Sequence, residues 1–445
     1  LTRIRFDITF GAKVKCVRTT RVRRGRRFPG PNGHCGAQIE FASFRFDGAG
    51  NAEGIYVRVL FVSSPGPGVS HTFPVVPAAW ACRAAGHEVL LATGRYGGYE
   101  DKLAGTGLDV VDAAPGIDFA RTPDLILAEH AHLAQRQADQ AGATEYAIRL
   151  FAAFSRDMVD GVVEAARRWR PDLVVHTPLD GAGPVAARVL GVPTVLHEMT
   201  LVTPFAMSRA VYDEMGDTAG RFGVAAGPPT VTLSVVPPSM RIVHAAGWSM
   251  RNIPYNGGAV LPDWLLAPID RPRVVLTIGM SLPRARGSRA LLPLLTEVGD
   301  VNAEFVLLLG GVDAAELGRL PANVRTTQWV PLSALLAVSD AIVHHGGGGT
   351  MLTSLDSGVP QIVVPHAADH FLNADAVARR GIGLRASASE LDAELVGSVL
   401  GSAAMRAAAR EVAEEMRSLP SPATLVPALA ALAAEHTPTA EHALA

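Results

Sequence analysis

The sequence predicts an α/β fold: two Rossmann-like, doubly wound parallel-sheet domains facing each other across a cleft. Three observations carry this prediction. At 445 residues the chain exceeds what one ordinary hydrophobic core serves. From Val57 onward, short β-branched apolar runs alternate with Ala/Leu-rich helical stretches; such continuous apolar strands belong to parallel sheets covered on both faces. A proline-bearing passage, "LPDWLLAPIDRP" over 261–272, divides the runs into two sets.

Residues 1–56 stand apart from this pattern. They carry a net charge of +7, and the remainder carries −9. A basic arm of this kind can meet nucleic acid or acidic lipid, and its Arg-rich, acid-poor composition is like that of a transit peptide. The chain begins with Leu, however, and its first good strand starts at Val57, two residue types whose codons can start bacterial translation. The segment is therefore read as an upstream-translated extension, expected to be disordered. No nucleic-acid partner is expected.

The first set of strands is "RVLFVSS", "HEVLLATG", "LDVVDA", "DLVVHT" and "PTVLHE". Gly86 and Gly191 fall where helices end before the next strand, as C-caps do. Region 199–256 is poorer in pattern and rich in Pro, Met and aromatics, either core filler or the lining of an apolar pocket. These residues assign 57–262 to an N-terminal domain and 263–272 to a linker. The second set is "RVVLTIGM", "EFVLLLG", "AIVHHG", "PQIVVP" and "IGLRAS", in a C-terminal domain over 273–428. A terminal helix and tail, 429–445, follows the Pro420–Pro422 break in "LVPALAALAAEH".

Composition narrows the class. Hydrophobic residues make up 48% and charged ones 18%, a globular balance, and no apolar run reaches the roughly 18 residues that span a bilayer. Three cysteines without a Cys-x-x-Cys pair fit neither a disulfide framework nor structural zinc, and a cytoplasmic setting is expected. Lysine occurs only at positions 13, 15 and 102.

The most informative stretch is Ile342–Thr350, "IVHHGGGGT", placed between an apolar run and the helical "MLTSLDSG". Strand, glycines, helix is the geometry of an anion site, with free amides and the positive helix end aimed at the ligand. A tight turn with packed histidines is the plainer alternative. There is no P-loop lysine, and Gly346-x-Gly348 runs on to Met351, so neither a Walker loop nor a dinucleotide fingerprint is present.

Taken together, "WVPLSALL" from Trp329, "HHGGGGT", "DSGVPQ" and "PHAADHFLNA" resemble the nucleotide-sugar signature of family 1 GT-B glycosyltransferases. The resemblance is strongest to actinobacterial enzymes that decorate macrolide- and enediyne-type antibiotics. It extends through "VRVLFVSSPGPGVSHTFPVVPAAWACRAAGHEVLLATG" and "IPYNGGAVLPDWL", from about residue 57 to the C-terminus. It implies that 57–262 binds the acceptor and 273–428 the nucleotide sugar. His345, Gly347, Gly348 and Thr350 would hold the diphosphate, Trp329 and Val330 would flank the nucleobase, and Ser281 would reach the phosphates. Asp369 would accept from the sugar hydroxyls; beside it the family has Gln where this chain has His370, which leaves sugar selectivity open. His344 is read as strand packing.

An acceptor hydroxyl needs a base, and histidine's ordinary pKa suits the task. His71, in "GPGVSHTFP" after the first strand, sits where the family places its base, although a lone His before a helix is also an ordinary cap or surface residue. Where many members orient that base with an Asp, this chain has Thr177. Asp180 is the candidate partner, and a loop or cap role is its alternative; His176 and an unaided His71 are the others. His366-x-x-x-His370 with Asp369 has metal-ligand spacing but lacks the Glu of a zincin helix, and no metal is expected. The absence of Gly-x-Ser-x-Gly argues against an α/β-hydrolase.

The resemblance implies an inverting, metal-independent transfer of a deoxysugar from a dTDP-sugar to a bulky, largely apolar natural product, with no cofactor beyond that co-substrate. A homodimer or an auxiliary activator protein is a possible partner. A UDP-sugar 2-epimerase-like enzyme and a non-catalytic nucleotide-sugar-binding auxiliary protein are the competing readings.

Overall fold

The structure, a computed structural model, describes residues 56–436 except 67–68, 137–139, 202–203, 226, 242–246, 278, 280–294, 296, 312 and 367–368. The expectations for residues 1–55 and for Ser281 lie outside the described residues. Both sheets belong to one compact unit, Glu53–Ala445.

The first sheet contains β1 (Arg58–Val62), β2 (Glu88–Thr93), β3 (Val110–Asp112), β4 (Leu173–His176), β5 (Thr194–His197), β6 (Val231–Ser234) and β7 (Trp248–Ser249). Its order is β3-β2-β1-β4-β5-β6-β7, and all its pairings are parallel. The second contains β8 (Arg273–Thr277), β9 (Glu304–Leu308), β10 (Val324–Thr327), β11 (Ala341–His344), β12 (Gln361–Val363) and β13 (Gly383–Arg385). Its order is β10-β9-β8-β11-β12-β13, again all parallel. These are the two doubly wound sheets of a GT-B fold.

The helices that cover these sheets or border the cleft include α1 (Val76–Ala84), α2 (Glu100–Ala104), α3 (Gln140–Trp169), α4 (Ala182–Leu190), α5 (Leu332–Leu336), α6 (Gly348–Ser357), α7 (His370–Arg380) and α8 (Pro422–His436). Parallel strands buried on both sides explain the unbroken apolar runs. In β1, Val59 and Phe61 point into the cluster that holds Ala79 and Cys82 of α1 and Val426 and Leu429 of α8. Leu60 and Val62 point the other way, onto Phe154 and Met158 of α3 and Val185 of α4. The second sheet repeats the scheme, with Val274, Leu276 and Val343 on one face and Val275 and Ile342 on the other. Each fully buried branched side chain of this kind contributes about 1.5–3 kcal/mol.

Gly191 ends α4 with φ 69°, and Gly86 follows α1 with φ 91°, left-handed positions that an unbranched backbone takes at little cost. Three strands were not among the apolar runs. β10 is an edge strand of sequence "VRTT", and β6 and β7 are short pieces within the pattern-poor 199–256 region. The last helix begins at Pro422, not at 429. Pro422 opens it, because a first-turn residue needs no amide proton, and Ser421 accepts from the Thr424 amide at 3.2 Å. Nor is 263–272 a bare linker: Asp263–Leu266 is helical, and Trp264 and Leu265 pack with the second sheet.

In each sheet the strand order reverses at one place, between β1 and β4 and between β8 and β11. Open α/β sheets bind ligands outside the carboxyl ends of the strands at such points. The loop after β1 carries His71, and the loop after β11 is the glycine run. Among the described residues, no helix is long and apolar enough to cross a membrane.

Candidate active site in the cleft

A cavity of about 390 Å³ lies where the two switch-point loops face each other. Its wall brings together His71, Trp329, Val330, His345, Gly347, Gly348, Thr350, Asp369 and His370. The first domain lines it mostly with apolar side chains, among them Phe73, Phe151, Leu179, Met199 and Met207.

The glycine run is shaped by packing at three of its four positions. The Gly346 amide donates to His344 Nδ1 at 3.1 Å, which puts the His344 proton on Nε2, bonded to Gln361 Oε1 at 2.9 Å. His344 is thus more than strand filler: it anchors the loop, and burial pushes its pKa down to about 4. At Gly347 a Cβ would lie 2.4 Å from His345 Nε2, and at Gly279 one would lie 2.5 Å from His345 Cε1. The His345 ring occupies the space these two glycines leave. A Cβ on Gly348 would approach the Met199 carbonyl to 2.7 Å, so the loop after β5 closes on the run from the first domain. Only Gly349 opens to empty space, with nothing within 4 Å of a Cβ there. Among the described residues no side chain caps α6, and the amides of Gly348, Gly349 and Thr350 lie in a first turn that offers them no intrahelical acceptor.

Asp369 stands at the head of α7. Its Oδ2 accepts from Thr200 Oγ1 at 2.7 Å and from Asn373 Nδ2 at 3.0 Å; Asn373 also donates to the Gly346 carbonyl at 2.7 Å. The carboxylate is therefore clamped to the glycine loop on one side and to the first domain on the other. His370, the next residue, sets its ring edge-to-face on His345, with centroids 4.8 Å apart and 82° between planes. Burial lowers the pKa of both imidazoles; His370, His344 and His366 push His345 further down, while Asp369 opposes the shift at His370.

Trp329 carries the Lys102 ammonium of α2 3.5 Å from its ring centroid, a cation–π contact between the two domains. Val330 lines the cavity but buries its side chain among Val275, Val306 and Ile342, so its role is as much core as wall.

His71 is reached through Val69, a β-branched residue with φ 65°, strain of about 1–3 kcal/mol that burial of Val69 against Phe73 and Leu103 offsets. The His71 ring sits over Gly66, where a Cβ would come within 2.4 Å of its Cδ2, and 4.7 Å from the Phe151 ring. Burial lowers its pKa to about 4, against the opposing field of Asp369. Asp369 is the sole carboxylate on the cavity wall among the described residues.

Asp180 does not partner His71. Its two carboxylate oxygens accept from the Ala182 and Gly183 amides at 3.1 and 2.9 Å, capping α4, and His71 Nδ1 has no hydrogen-bond partner among the described residues. Full burial raises Asp180 to about 7, with the two amides opposing. Thr177, at the other candidate position, buries its hydroxyl without a partner among those residues. Thr200, Asn373 and Lys102 were not singled out in the sequence. Asn373 had a local signal in its i, i+4 spacing from Asp369; Thr200 and Lys102 act across the cleft, and no local pattern marks them.

Two switch-point loops closing one cavity, with an uncapped glycine-headed helix on one wall and a histidine on the other, define a GT-B glycosyltransferase. Known proteins narrow the class further. The family described as erythromycin biosynthesis protein CIII-like matches residues 80–279 by its N-terminal domain and 292–432 by its C-terminal domain. Elloramycin glycosyltransferase ElmGT of Streptomyces olivaceus is 39% identical over 376 residues, 82% of this chain and 95% of that one. The crystal structure of the glycosyltransferase SnogD from Streptomyces nogalater superposes with a TM-score of 0.72 at 42% identity, covering 85% of this chain and 99% of that one. SsfS6 of Streptomyces sp. SF2575, complexed with thymidine diphosphate, gives 0.70 at 29% identity, covering 84% and 99%. The chain belongs to this family of natural-product glycosyltransferases.

Proposed function

We propose that the protein transfers a deoxysugar from a dTDP-sugar to a hydroxyl of a bulky apolar secondary metabolite, with inversion and without a metal. The observation that carries this reading is the single cavity on which His71 and the α6 N-terminus both stand. His71, kept neutral by burial, takes the acceptor proton as the oxygen attacks the anomeric carbon from the first domain. The C1–O bond to the diphosphate breaks on the opposite side, and the electron pair goes to the departing phosphate oxygen. The α6 amides, Thr350 and His345 stabilise that charge, at about 3 kcal/mol per well-placed donor. Asp369, besides accepting from the sugar, favours the imidazolium formed at His71. Trp329 offers its ring to the nucleobase, and Phe73, Phe151, Leu179 and Met207 suit an apolar acceptor. The thymidine diphosphate held by SsfS6 supports a thymidine donor here.

Calorimetric titration with dTDP, UDP and NAD, beside a His345→Ala variant, tests the donor half. Preferential dTDP binding, weakened in the variant, supports the reading and opens an acceptor screen. Absence of binding by any nucleoside diphosphate removes it, and turnover of a UDP-sugar with no acceptor present favours an epimerase instead.

A further inference from the structure

His370 takes no part in the transfer steps, yet it stands against the diphosphate side of the cavity. Its ring and that of His345 are in contact, both line the wall beside the first turn of α6, and the Nδ1 of each is buried with no partner among the described residues. Orphaned nitrogens on two touching rings are expensive, since each forfeits a hydrogen bond that water would supply. They become useful when an acceptor-rich anion arrives.

Resting on the dTDP-sugar donor reading, we propose that His370 is a second phosphate-binding imidazole, and that entry of a nucleoside diphosphate places one proton on the His345–His370 pair. The surroundings fix the number at one. Asp369, on the same segment, draws positive charge towards His370. From the strand end, His344 is committed to Gln361 and the Gly346 amide, and with His366 and His370 it opposes charge on His345. His71 faces Asp369 from the first domain. A first proton is favoured by the bound diphosphate, while a second would sit against the first in contact distance. Asn373 and the packing of the His370 carbonyl against Gly346 hold α7 to the glycine loop, so the pair is set before the ligand binds.

Burial keeps both imidazoles neutral at pH 7 without ligand, and the anion raises the pKa of the pair. Between those two values binding takes up a proton, so affinity falls as pH rises, by at most about tenfold per pH unit.

The test is calorimetric titration of the full chain with dTDP at about pH 6 and about pH 8, in buffers of different ionisation enthalpy, with His370→Gln and His345→Gln beside the wild type. The terminal phosphate of dTDP titrates near pH ~6 itself and is common to all three proteins. Wild type is expected to take up as much as about one proton more than either variant, and to lose more affinity between the two pH values. Equal proton counts and parallel pH dependence, whatever the absolute affinity, overturn the inference while leaving the donor site intact. If neither variant folds, a wild-type proton count matching the ionisation of dTDP alone overturns it equally. Failure of dTDP to bind wild type at either pH overturns the donor reading and this inference together.

Discussion

His71, with its depressed pKa of about 4, remains a neutral acceptor across the physiological range. His71→Ala is expected to lower kcat by ~10²–10⁴-fold and leave the Kd for dTDP nearly unchanged. In the wild type, the acid limb of the kcat/KM profile set by His71 should lie below pH 6; steady-state kinetics with an accepted aglycone measures both. Asp180 is predicted to behave differently. Its carboxyl holds its proton more tightly folded than unfolded, so stability falls as pH rises from ~4 through about 7, then levels off. Asp180→Asn should flatten that fall in Tm and leave kcat within about threefold; a loss as large as that of His71→Ala would restore the dyad. The two residues show what was legible here. A histidine after the first strand of a parallel sheet has one crevice to face, so its position was readable. An aspartate two and three residues before free helix amides reads equally as cap or catalyst, and the amides claimed it.

Strand β11, the glycine run and α6 form the element on which the proposed donor binding rests, and its glycines divide into two kinds. Gly347→Ala would drive a methyl into the His345 ring, and the Kd for dTDP should rise at least about tenfold, with folding stability lowered by ~1–3 kcal/mol of overpacking and Tm lowered accordingly. Gly349→Ala meets no protein atom and relieves a helical glycine, so stability should hold or rise by up to ~1 kcal/mol, and Tm with it. Gly349 nevertheless stands on the cavity wall. Weakened dTDP binding with preserved Tm would show that ligand approach keeps this glycine; unchanged binding would show that the phosphates lie elsewhere. The sequence pointed to an anion loop but not to this division, because the demand at Gly348 comes from the β5 loop, far away in the chain, and that at Gly347 from the way the His345 ring folds back over the run. The unread strands tell a similar story: β10, at the sheet edge, exposes Arg325 and needs no apolar run, so hydrophobic periodicity passes over it.

The two domains are joined by more than the chain between them. Lys102 lies on Trp329, Thr200 on Asp369, and the Ser333 amide donates to Asn256 Oδ1 at 2.9 Å. Every described residue on the cavity wall falls between Ser70 and His370. A chain lacking residues 1–52 is therefore expected to keep the dTDP affinity and Tm of the full chain; calorimetry on both decides, and a loss of affinity would assign the basic segment a part in the site. The doubly wound pair was legible from the alternation of apolar runs and helices, because a parallel sheet needs both. The return of α8 to the first sheet was not, since a helix that is apolar on most of its surface gives no sign of which core receives it. That return has a consequence for synthesis. On the ribosome the first domain emerges early, yet its β1 and α1 stay without the apolar cover of α8 until both sheets have been translated. The nascent chain must shield that face for the whole interval, so premature termination anywhere in the second half should yield a product that chaperones hold and proteases remove.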